Sequence, residues 1–456
     1  MENMIVKPAA KLSGKIQLPG DKSISHRAGM FAALANGTTR IENFATSADC
    51  ASTLACLADL GADIDRDGST VLVTGTGLHG FTAPDKPLDC GNSGTTMRLI
   101  SGILAGQAFE SVLVGDESLQ SRPMKRVIEP LELMGVQIES VYGKAPLRIA
   151  GRNPLKAIEY RSPVASAQIK SCVLLAGLNA DRETSVIEPT LTRDHTERML
   201  RWLGVDVRTS AFESGFRHSV SGGSELIARD LIIPADISSA AFFMVAAACL
   251  EGSEVVMPNV GLNPARRGVI DVLRRFGSQI EVRNEVEQCN EPVGEIVVMG
   301  GLRPRESTTP SAEAAATPPI QGGELRGQII ADLIDEIPIL AVFGTQLEGG
   351  LEVRDASELR VKESDRIAAV VENLRRMGAD VEEFPDGFRV GRSYLKGAVI
   401  DSFGDHRIAM AFAVAGLFAD GETTIEGAEC AAVSFPDFFA VLEERALPAN
   451  NANLHE

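Results

Sequence analysis

Aromatic side chains and positive charge are both scarce in this sequence. Aromatic residues make up 5% of the 456 residues, and Trp202 is the sole tryptophan. A surface that stacks nucleic-acid bases needs several exposed rings. The formal net charge is −18, whereas nonspecific nucleic-acid binding and attraction to anionic membranes both need a basic surface. We therefore expect no nucleic-acid or membrane partner, although an acidic protein can still contain a local basic pocket for small anions.

Paired cysteines and long apolar runs are also missing. The seven cysteines are an odd number and include no CxxC pair, which argues against a disulfide framework or a zinc ribbon and favours a reducing compartment. No apolar run approaches the roughly 20 residues that span a bilayer. The first residues, MENMIVKPAAKLSGKI, contain no apolar signal core. We expect a cytoplasmic protein.

A repeated pattern organises most of the chain. An apolar helix opens with a small or acidic residue and is followed by a glycine-containing turn and a Val/Ile-rich strand. A second helix and a hairpin come next in most copies. The copies begin at Ser23, Ser93, Ser166, Ser238, Asp335 and Asp405. The pattern predicts about six helix–strand–helix–hairpin units, a flexible Pro/Ser/Thr/Ala-rich insertion at 303–323 and a disordered tail at 447–456.

The openings of these helices carry polar and charged residues that an apolar core helix does not require. Ser, Asp and Asn are common helix caps, and capping alone accounts for many of them. Capping does not account for Lys22, Arg27 and Arg407, or for Gln168 beside Lys170. Helix N-termini favour anions because they present unpaired N–H groups and a partial positive charge. Equivalent positions in the repeats should bring these ends together, which predicts an anion-binding pocket.

Two further segments add cations to this prediction. Arg122 precedes Pro123, which restricts the backbone. In LRVKESDR, we expect Lys362, Glu363 and Arg366 to share one helical face; a solvated helix start with a salt pair is the alternative. Arginine binds phosphate and carboxylate in a bidentate manner, and lysine acts as a point charge. Together these residues suggest a pocket for two anionic substrates that also contains an acid–base pair.

No cofactor or metal site stands out. The GTGLHG segment at 75–80 matches a dinucleotide fingerprint, but prolines follow where a helix should begin, and no Walker A motif is present. His195 and Glu197 in RDHTE are two residues apart, unlike the helical spacing of a zinc motif, and no Cys or His lies nearby. No Ser/His/Asp nucleophile arrangement can be identified. We expect neither a metal nor an organic cofactor.

Seven ordered motifs together resemble the 3-phosphoshikimate 1-carboxyvinyltransferase family, the EPSP synthases. The motifs are LPGDKSISHRA, GNSGTTMRL, GDESLQSRPM, SAQIKS, IDEIPILAV, RVKESDRI and GDHRIAM, and the resemblance runs from about Leu12 to Leu442. It implies an α/β fold, a two-lobed inverted α/β barrel of six βαβαββ repeats with three in each lobe. By analogy, one lobe is discontinuous and comprises residues 1–19 and 236–446, and the other comprises 20–235.

The resemblance also implies an activity. The family transfers the enolpyruvyl group of phosphoenolpyruvate to the 5-hydroxyl of shikimate 3-phosphate by addition and elimination, which yields 5-enolpyruvylshikimate 3-phosphate and phosphate. This reaction belongs to the shikimate pathway, which leads through chorismate to aromatic amino acids. It uses no metal and no organic cofactor, and a monomer is the family default. Glyphosate competes with phosphoenolpyruvate in this family.

The residue roles that follow are carried over from the family onto matching positions. The implied catalytic residues are Asp335 as proton acceptor, Glu363 as the carboxyl that shuttles a proton to the methylene carbon, and Lys22, which touches both substrates. The implied shikimate 3-phosphate contacts are Lys22, Ser23, Arg27, Ser166, Ala167, Gln168, Arg193, Asp335 and Lys362. The implied phosphoenolpyruvate contacts are Lys22, Gly94, Arg122, Gln168, Arg366 and Arg407.

Two positions depart from patterns seen in the family. Ala167 stands where some members have a second serine, and Val433 stands where some have a lysine before the final Ser/Thr-Phe-Pro. The second change leaves the phosphoenolpyruvate site one cation short or supplied by another residue. Gly94 favours glyphosate sensitivity, whereas RDHTE and SAQIK resemble a subgroup whose members are often tolerant, so the sensitivity of this chain stays open.

Three other interpretations remain. The UDP-N-acetylglucosamine enolpyruvyl transferases share the fold and chemistry, but typically have a lysine–asparagine pair near the N-terminus and a loop cysteine. Here Ser23 follows Lys22, and the loop around Arg122 has no cysteine. An RNA-end phosphate cyclase is disfavoured by the acidic charge and scarce aromatics. A non-catalytic repeat scaffold would not explain charged residues at helix openings.

Overall fold

The computed structural model describes residues 3–302 and 323–448. The chain divides into two compact units. Unit 1 comprises Met1–Leu18, Ala235–Val286 and Val293–Glu456, and unit 2 comprises Pro19–Pro234 and Glu287–Pro292. The chain therefore passes from one unit to the other at Leu18/Pro19 and at Pro234/Ala235.

The described residues form the following elements. The helices are Lys22–Leu34 (α1), Ala48–Asp59 (α2), Gly94–Ala105 (α3), Glu117–Ser121 (α4), Lys125–Leu133 (α5), Ala167–Gly177 (α6), His195–Trp202 (α7), Ile237–Cys249 (α8), Gly268–Arg275 (α9), Gln328–Leu333 (α10), Ile337–Gly344 (α11), Arg366–Arg376 (α12), His406–Leu417 (α13) and Phe438–Arg445 (α14), with 3₁₀ segments at Ser357–Val361 and Ala428–Val433. The strands are Met4–Val6 (β1), Ala9–Lys15 (β2), Ala35–Glu42 (β3), Asp63–Asp67 (β4), Thr70–Thr76 (β5), Leu88–Asp89 (β6), Glu110–Val114 (β7), Gln137–Val141 (β8), Lys144–Ala150 (β9), Glu159–Arg161 (β10), Thr184–Glu188 (β11), Val207–Phe212 (β12), Gly215–Val220 (β13), Leu226–Ile227 (β14), Leu231–Ile232 (β15), Glu254–Gly261 (β16), Gln279–Gln288 (β17), Glu291–Met299 (β18), Gly323–Leu325 (β19), Leu351–Val353 (β20), Val381–Phe384 (β21), Gly387–Val390 (β22), Val399–Asp401 (β23), Thr423–Glu426 (β24) and Ala446–Pro448 (β25).

Unit 2 has three sheets around the helices α1, α3 and α6. The strand orders are β14-β3-β5-β4, β6-β7-β9-β8 and β10-β11-β13-β12, with β15 also paired to β3. In each sheet a parallel pair is joined to an antiparallel hairpin, as in β10, β11, β13 and β12. In the sheet that contains β3, the parallel neighbours β14 and β15 come from the far end of the unit.

Unit 1 also has three sheets, around α8, α11 and α13. Its strand orders are β1-β24-β23, β17-β18-β16-β2-β25 and β19-β20-β22-β21. The N-terminal strand β1 pairs antiparallel with β24 near the C-terminus, and Met4 lies opposite Ile425. Every residue of α13 is buried, including the run from Ile408 to Leu417. A helix that is apolar on all sides is stable only when its whole circumference is covered, which is why these helices lie inside the units.

Each of the six central helices begins close to the residue at which its repeat begins in the sequence. Residues 21, 93, 166, 236 and 405 cap α1, α3, α6, α8 and α13 with their side chains, which accept hydrogen bonds from backbone N–H groups of the first turn. Glu336 occupies the cap position of α11 without such a bond. Capping therefore explains several of the polar residues at the helix openings, because it pairs N–H groups that the first turn leaves unsatisfied.

Two segments that the sequence predicted to be flexible contain residues that lie in strands. Leu447 and Pro448 belong to β25, which pairs antiparallel with β2. The predicted disordered tail is therefore wrong for these two residues. Gly323 opens β19, which pairs with β20, so it does not belong to an insertion. The remaining positions, 303–322 and 449–456, lie outside the described residues.

The predicted lobe boundaries differ from the observed units in two respects. The crossings lie one residue earlier than the predicted positions, and the tip of the β17–β18 hairpin, Glu287–Pro292, belongs to unit 2 although the rest of the hairpin belongs to unit 1. Within unit 2, Oε1 of Glu291 lies 2.7 Å from Nδ1 of His195, and both residues are buried. His195, which lies in the RDHTE segment considered above as a metal site, is therefore paired with Glu291 inside unit 2.

Candidate active site

The first helix of unit 2 carries two of the predicted cations. Lys22 is the first residue of α1, and its Nζ lies 3.0 Å from Oδ2 of Asp49 in α2. Arg27 is nearly two turns along α1 from the Asp21 cap, and 3% of it is exposed. Ser23 lies between them, with its carbonyl accepting a hydrogen bond from Nη1 of Arg27 at 2.9 Å. The fold therefore directs both cations to the opening of one helix.

Arg27 is held from two other elements. Its Nε donates to Oγ1 of Thr196 at 2.8 Å, and its Nη2 donates to Oγ of Ser171 at 2.9 Å. Burial lowers the pKa of Arg27 to about 10, and the nearby charge of Arg193 acts in the same direction. The guanidinium therefore stays charged at neutral pH, and Arg193 lies close enough for the two cations to repel each other.

The opening of α3 places Gly94 beside Arg122. Ser93 caps this helix, and Gly94 is its first residue. Nη2 of Arg122 donates to Oδ1 of Asn92 at 2.8 Å and to Oγ of Ser118 at 3.1 Å. A Cβ atom added to Gly94 would lie 3.6 Å from Nη1 of Arg122. These two predicted phosphoenolpyruvate contacts are therefore neighbours.

Gln168 joins the openings of α3 and α6. Its Nε2 donates to Oγ1 of Thr95 at 3.0 Å, and its Oε1 accepts from Nη1 of Arg98 at 2.8 Å. Ser166 caps α6, and Ala167 is the first residue of that helix. Arg98 was not among the residues predicted from the sequence. It lies one turn inside α3, and only the fold shows that it reaches Gln168.

Lys170, which the sequence suggested as a further cation at this opening, faces the interior of unit 2. Its Nζ lies 2.9 Å from Oε1 of Glu188 and 2.8 Å from Oε1 of Glu197, and 1% of its side chain is exposed. The prediction is wrong for Lys170 because two buried carboxylates already neutralise it.

In unit 1, the carboxylate of Asp335 lies among three arginine side chains. Its Oδ1 is 3.6 Å from Nη1 of Arg366 and 3.9 Å from Nε of Arg407, and its Oδ2 is 3.8 Å from Nη1 of Arg266. Nη1 of Arg407 also donates to the backbone carbonyl of Asp335 at 2.8 Å. We call Asp335, Glu363, Asp405 and these three arginines the carboxylate–arginine cluster.

Arg366 is the buried centre of this cluster. One per cent of its side chain is exposed. Its Nη2 lies 2.6 Å from Oε2 of Glu363, and its Nε lies 2.8 Å from Oδ2 of Asp405, which also caps α13. Burial alone would lower the pKa of Arg366, but the carboxylates of Asp405, Glu363 and Asp335 raise it above its ordinary value. The permanently charged Arg366 therefore lies beside Asp335 and Glu363, whose predicted roles are in proton transfer, and beside Asp405, which caps α13.

The segment around Lys362 differs from the predicted helical face. A 3₁₀ turn ends at Val361, and α12 begins only at Arg366 with Asp365 as its cap. Lys362 and Glu363 lie in the short connection between these elements. The expected helical alignment is wrong because Asp365 satisfies the first-turn N–H of Ala368 and so starts the helix later. Glu363 still reaches Arg366 by the contact described above.

One member of the carboxylate–arginine cluster, Arg266, gave little signal in the sequence. Arg266 precedes α9, outside the repeated helix openings, yet 3% of it is exposed and its Nη2 lies 3.5 Å from Oε1 of Glu336. Oγ of Ser238, at the opening of α8, also contacts Glu336. Val433 ends the 3₁₀ segment Ala428–Val433 and is partly buried; as a valine it supplies no cation at this position.

Within each unit, the polar helix openings meet as the repeat predicted. In unit 2, Gln168 bridges the starts of α3 and α6, and Ser171 of α6 binds Arg27 of α1. In unit 1, Arg407 of α13 binds the carbonyl of Asp335 just before α11. Among the described residues, no group of three or more His, Cys, Asp or Glu side chains could hold a metal ion. In the same part of the chain, every helix is too short or too polar to cross a membrane.

Comparisons with known proteins agree over nearly the full length. A family model described as EPSP synthase (3-phosphoshikimate 1-carboxyvinyltransferase) matches residues 6–442. Proteins named 3-phosphoshikimate 1-carboxyvinyltransferase from a Geobacter species and from Solibacter usitatus are each 49% identical, over 97% of this chain and 99% of theirs. The structure of an EPSP synthase from Acinetobacter baumannii superposes with a TM-score of 0.85 at 42% identity, covering 98% of this chain and 99% of that one.

The two three-sheet units and their buried helices define a transferase of the two-lobed inverted α/β barrel class. The chain belongs to the EPSP synthase family, whose members are enolpyruvyl transferases of the shikimate pathway. The resemblance inferred from the seven motifs is thereby confirmed, and so is the fold class. The alternative of a UDP-N-acetylglucosamine enolpyruvyl transferase is not favoured by these matches.

Proposed function

We propose that this chain transfers the enolpyruvyl group of phosphoenolpyruvate to the 5-hydroxyl of shikimate 3-phosphate, releasing phosphate and 5-enolpyruvylshikimate 3-phosphate. The names of the relatives support the reaction. The observation that carries the proposal in this chain is the carboxylate of Asp335, held within 3.6–3.9 Å of three guanidinium groups. A carboxylate so placed can accept a proton while its neighbours stabilise anionic substrates.

The bonding changes assign separate tasks to two carboxylates. The 5-hydroxyl oxygen bonds to the central carbon of phosphoenolpyruvate, its proton passes to Asp335, and the methylene carbon receives a proton from Glu363. The tetrahedral adduct then loses phosphate as the bond between the central carbon and the phosphate oxygen breaks. The new methyl group returns one proton to Glu363, and the proton on Asp335 leaves with phosphate. Both carboxylates act beside Arg366, whose charge is permanent.

The remaining residues bind charge. Phosphoenolpyruvate brings a phosphate and a carboxylate, and arginine is the side chain best suited to both. We assign its contacts to Lys22, Gly94, Arg122, Gln168, Arg366 and Arg407. We assign the contacts of shikimate 3-phosphate to Lys22, Ser23, Arg27, Ser166, Ala167, Gln168, Arg193, Asp335 and Lys362. The 3-phosphate falls to Ser23, Arg27 and Arg193, because the two arginines lie within electrostatic reach of each other.

The setting proposed for this activity is the cytoplasm, with the protein acting as a monomer and without a nucleic-acid or membrane partner. The seven cysteines are free thiols, and burial raises the pKa of Cys50 and Cys172 to about 12, which keeps both protonated and unreactive. The acidic net charge of −18 supports the absence of polyanionic partners. Sedimentation equilibrium of the purified protein should give a mass near 48.5 kDa.

The function is tested by phosphate release from phosphoenolpyruvate. Purified protein is assayed with shikimate 3-phosphate, with UDP-N-acetylglucosamine and with no acceptor, and the Asp335→Asn variant is assayed in parallel. Release that requires shikimate 3-phosphate and is lost in the variant supports the proposal. Release with the nucleotide sugar, or equal release by the variant, would contradict it.

A further inference from the structure

Four ionisable side chains form a buried cluster inside unit 2 that the proposed chemistry does not use. We call Lys170, Glu188, Glu197 and His218 the interior charge cluster. No more than 1% of any of these side chains is exposed. Nε2 of His218 lies 2.9 Å from Oε1 of Glu188, and its Nδ1 lies 3.2 Å from Oε1 of Glu197. Buried charges cost stability unless they are paired, and this cluster pairs them internally.

One carboxylate of the cluster also reaches out of it. Oε1 of Glu188 accepts a hydrogen bond from the backbone N–H of Thr192 at 3.0 Å, and Oε2 accepts from Oγ1 of Thr192 at 2.6 Å. Burial would raise the pKa of Glu188, but the hydrogen bonds from His218 and Thr192 and the charge of Lys170 lower it to about 2. Glu188 is therefore ionised at neutral pH, and as an anion it can accept all of these hydrogen bonds at once.

The backbone N–H, the carbonyl oxygen and the side-chain hydroxyl of Thr192 all form hydrogen bonds. Besides the two bonds to Glu188, its carbonyl oxygen accepts from Nζ of Lys170 at 3.4 Å. Thr192 lies in the connection from β11, which ends at Glu188, to α7, which begins at His195. The next residue is Arg193, which is partly exposed. The interior charge cluster thus fixes the backbone immediately before one of the proposed phosphate-binding arginines.

Two other members of the interior charge cluster, Lys170 and Glu197, lie beside Arg27, the other arginine proposed to bind phosphate. Lys170 precedes Ser171, and Glu197 follows Thr196. Ser171 and Thr196 are the two side chains that bind Arg27, and their hydroxyl oxygens are 2.7 Å apart. The ion pair of Lys170 and Glu197 therefore joins α6 to α7 at the point where both helices hold Arg27.

We propose that Glu188 is a positioning residue for shikimate 3-phosphate: by fixing Thr192, it orders the connection that presents Arg193 to the 3-phosphate. The inference rests on the proposed function, because that function assigns the phosphate to Arg193. Ordering a free backbone residue costs conformational entropy, and binding is weakened by any ordering that must occur when the ligand binds. The bonds from Glu188 order the connection in advance.

The test uses the hydroxyl of Thr192, because its removal leaves all four side chains of the cluster in place. Thr192→Val removes one hydrogen bond to Glu188, and Thr192→Ser keeps it. Dissociation constants for shikimate 3-phosphate and for shikimate, which lacks the phosphate, are measured by calorimetry. We expect Thr192→Val to weaken shikimate 3-phosphate binding about tenfold, the scale of a hydrogen bond to a charged group. Binding of shikimate and the turnover at saturating substrates should change little, and Thr192→Ser should match the wild type.

Two further variants separate positioning from general damage. Thr209→Val removes a hydroxyl that lies 3.1 Å from Nδ1 of His218 on the other side of the cluster, and it should leave both dissociation constants unchanged. Arg193→Ala should weaken shikimate 3-phosphate binding but not shikimate binding. In the double variant Thr192→Val with Arg193→Ala, the two effects should not add, because both act through one guanidinium.

Each failure has a separate meaning. If Arg193→Ala leaves shikimate 3-phosphate binding unchanged, the proposed role of Arg193 is wrong and the inference falls with it. If Arg193→Ala weakens that binding but Thr192→Val does not, the inference alone is overturned. An equal loss of shikimate binding in Thr192→Val would also overturn it, since that result indicates a general structural effect. Glu188→Gln, where the protein folds, should reproduce the pattern of Thr192→Val.

Discussion

Adding one methyl group at Gly94 should distinguish glyphosate from phosphoenolpyruvate. Gly94 is the first residue of α3 and lies beside Arg122. Its backbone φ lies outside the left-handed region that favours glycine, so Gly94→Ala is compatible with the helix. The new Cβ would lie 2.8 Å from Nη1 of Arg98 and 3.6 Å from Nη1 of Arg122. The substitution therefore fills space at the proposed phosphoenolpyruvate contact without straining the backbone.

The size of the effect follows from these distances. Ordinary contact begins at 3.4 Å, so the end of the Arg98 side chain must withdraw by about 0.6 Å from its position at 2.8 Å. That nitrogen donates to Gln168, and weakening one such bond should raise the KM for phosphoenolpyruvate by less than about fivefold. Glyphosate is slightly longer and should meet the methyl group directly. Steric overlap in a tight site costs about 1–3 kcal/mol, or about tenfold to a hundredfold in its inhibition constant.

The assay measures the glyphosate inhibition constant and the phosphoenolpyruvate KM for the wild type and Gly94→Ala by phosphate release. Gly268→Ala is the matched control, because Gly268 is also the first residue of a helix and an added Cβ there has only ordinary contacts, the nearest at 3.6 Å. The control should change neither constant. If both constants rise by the same factor in Gly94→Ala, then Gly94 does not separate the two ligands and its proposed placement is refuted.

Three other predictions concern the charged clusters. Asp335→Asn should lower kcat by roughly 10²–10⁴, the usual contribution of a general base, while calorimetry shows nearly normal shikimate 3-phosphate binding; a near-normal kcat would remove Asp335 from its role. Arg366→Met should destabilise the protein by about 3–5 kcal/mol in urea unfolding, since it leaves the buried carboxylate of Asp405 without its cation; an unchanged midpoint would contradict this account. The pKa of Glu188 falls from 4.5 to about 2 on folding, so its stabilising contribution is present above pH 4.5 and is lost as the pH falls towards 2. Between pH 5 and pH 3 the wild type should therefore lose about 2 kcal/mol more unfolding free energy than Glu188→Gln, and equal losses would show that the carboxylate is not stabilised by folding.

Several features of this protein were determined by local sequence. The starts of five of the six central helices follow from capping residues placed before apolar runs, because a cap bonds only to the next turn of the same chain. Their burial follows from composition: the run IAMAFAVAGL has no polar side to expose to water. The charged residues at these openings, such as Lys22 and Arg407, stood out because neither capping nor packing requires them.

The tertiary structure decided which of these charges remain available to a ligand. Lys170 and Gln168 are two residues apart in α6, yet Lys170 turns inward to Glu188 and Glu197 while Gln168 reaches the opening of α3. Sequence spacing gives the side of a helix but not what packs against it, and the two carboxylates come from elements 18 and 27 residues further along the chain. The same reason hid Arg266, which reaches Asp335 across 69 residues of sequence. Coulomb interactions depend on distance in space and on burial. The partners of Lys170 and Arg266 lie far from them in sequence, so only the tertiary structure shows which carboxylates neutralise these two cations.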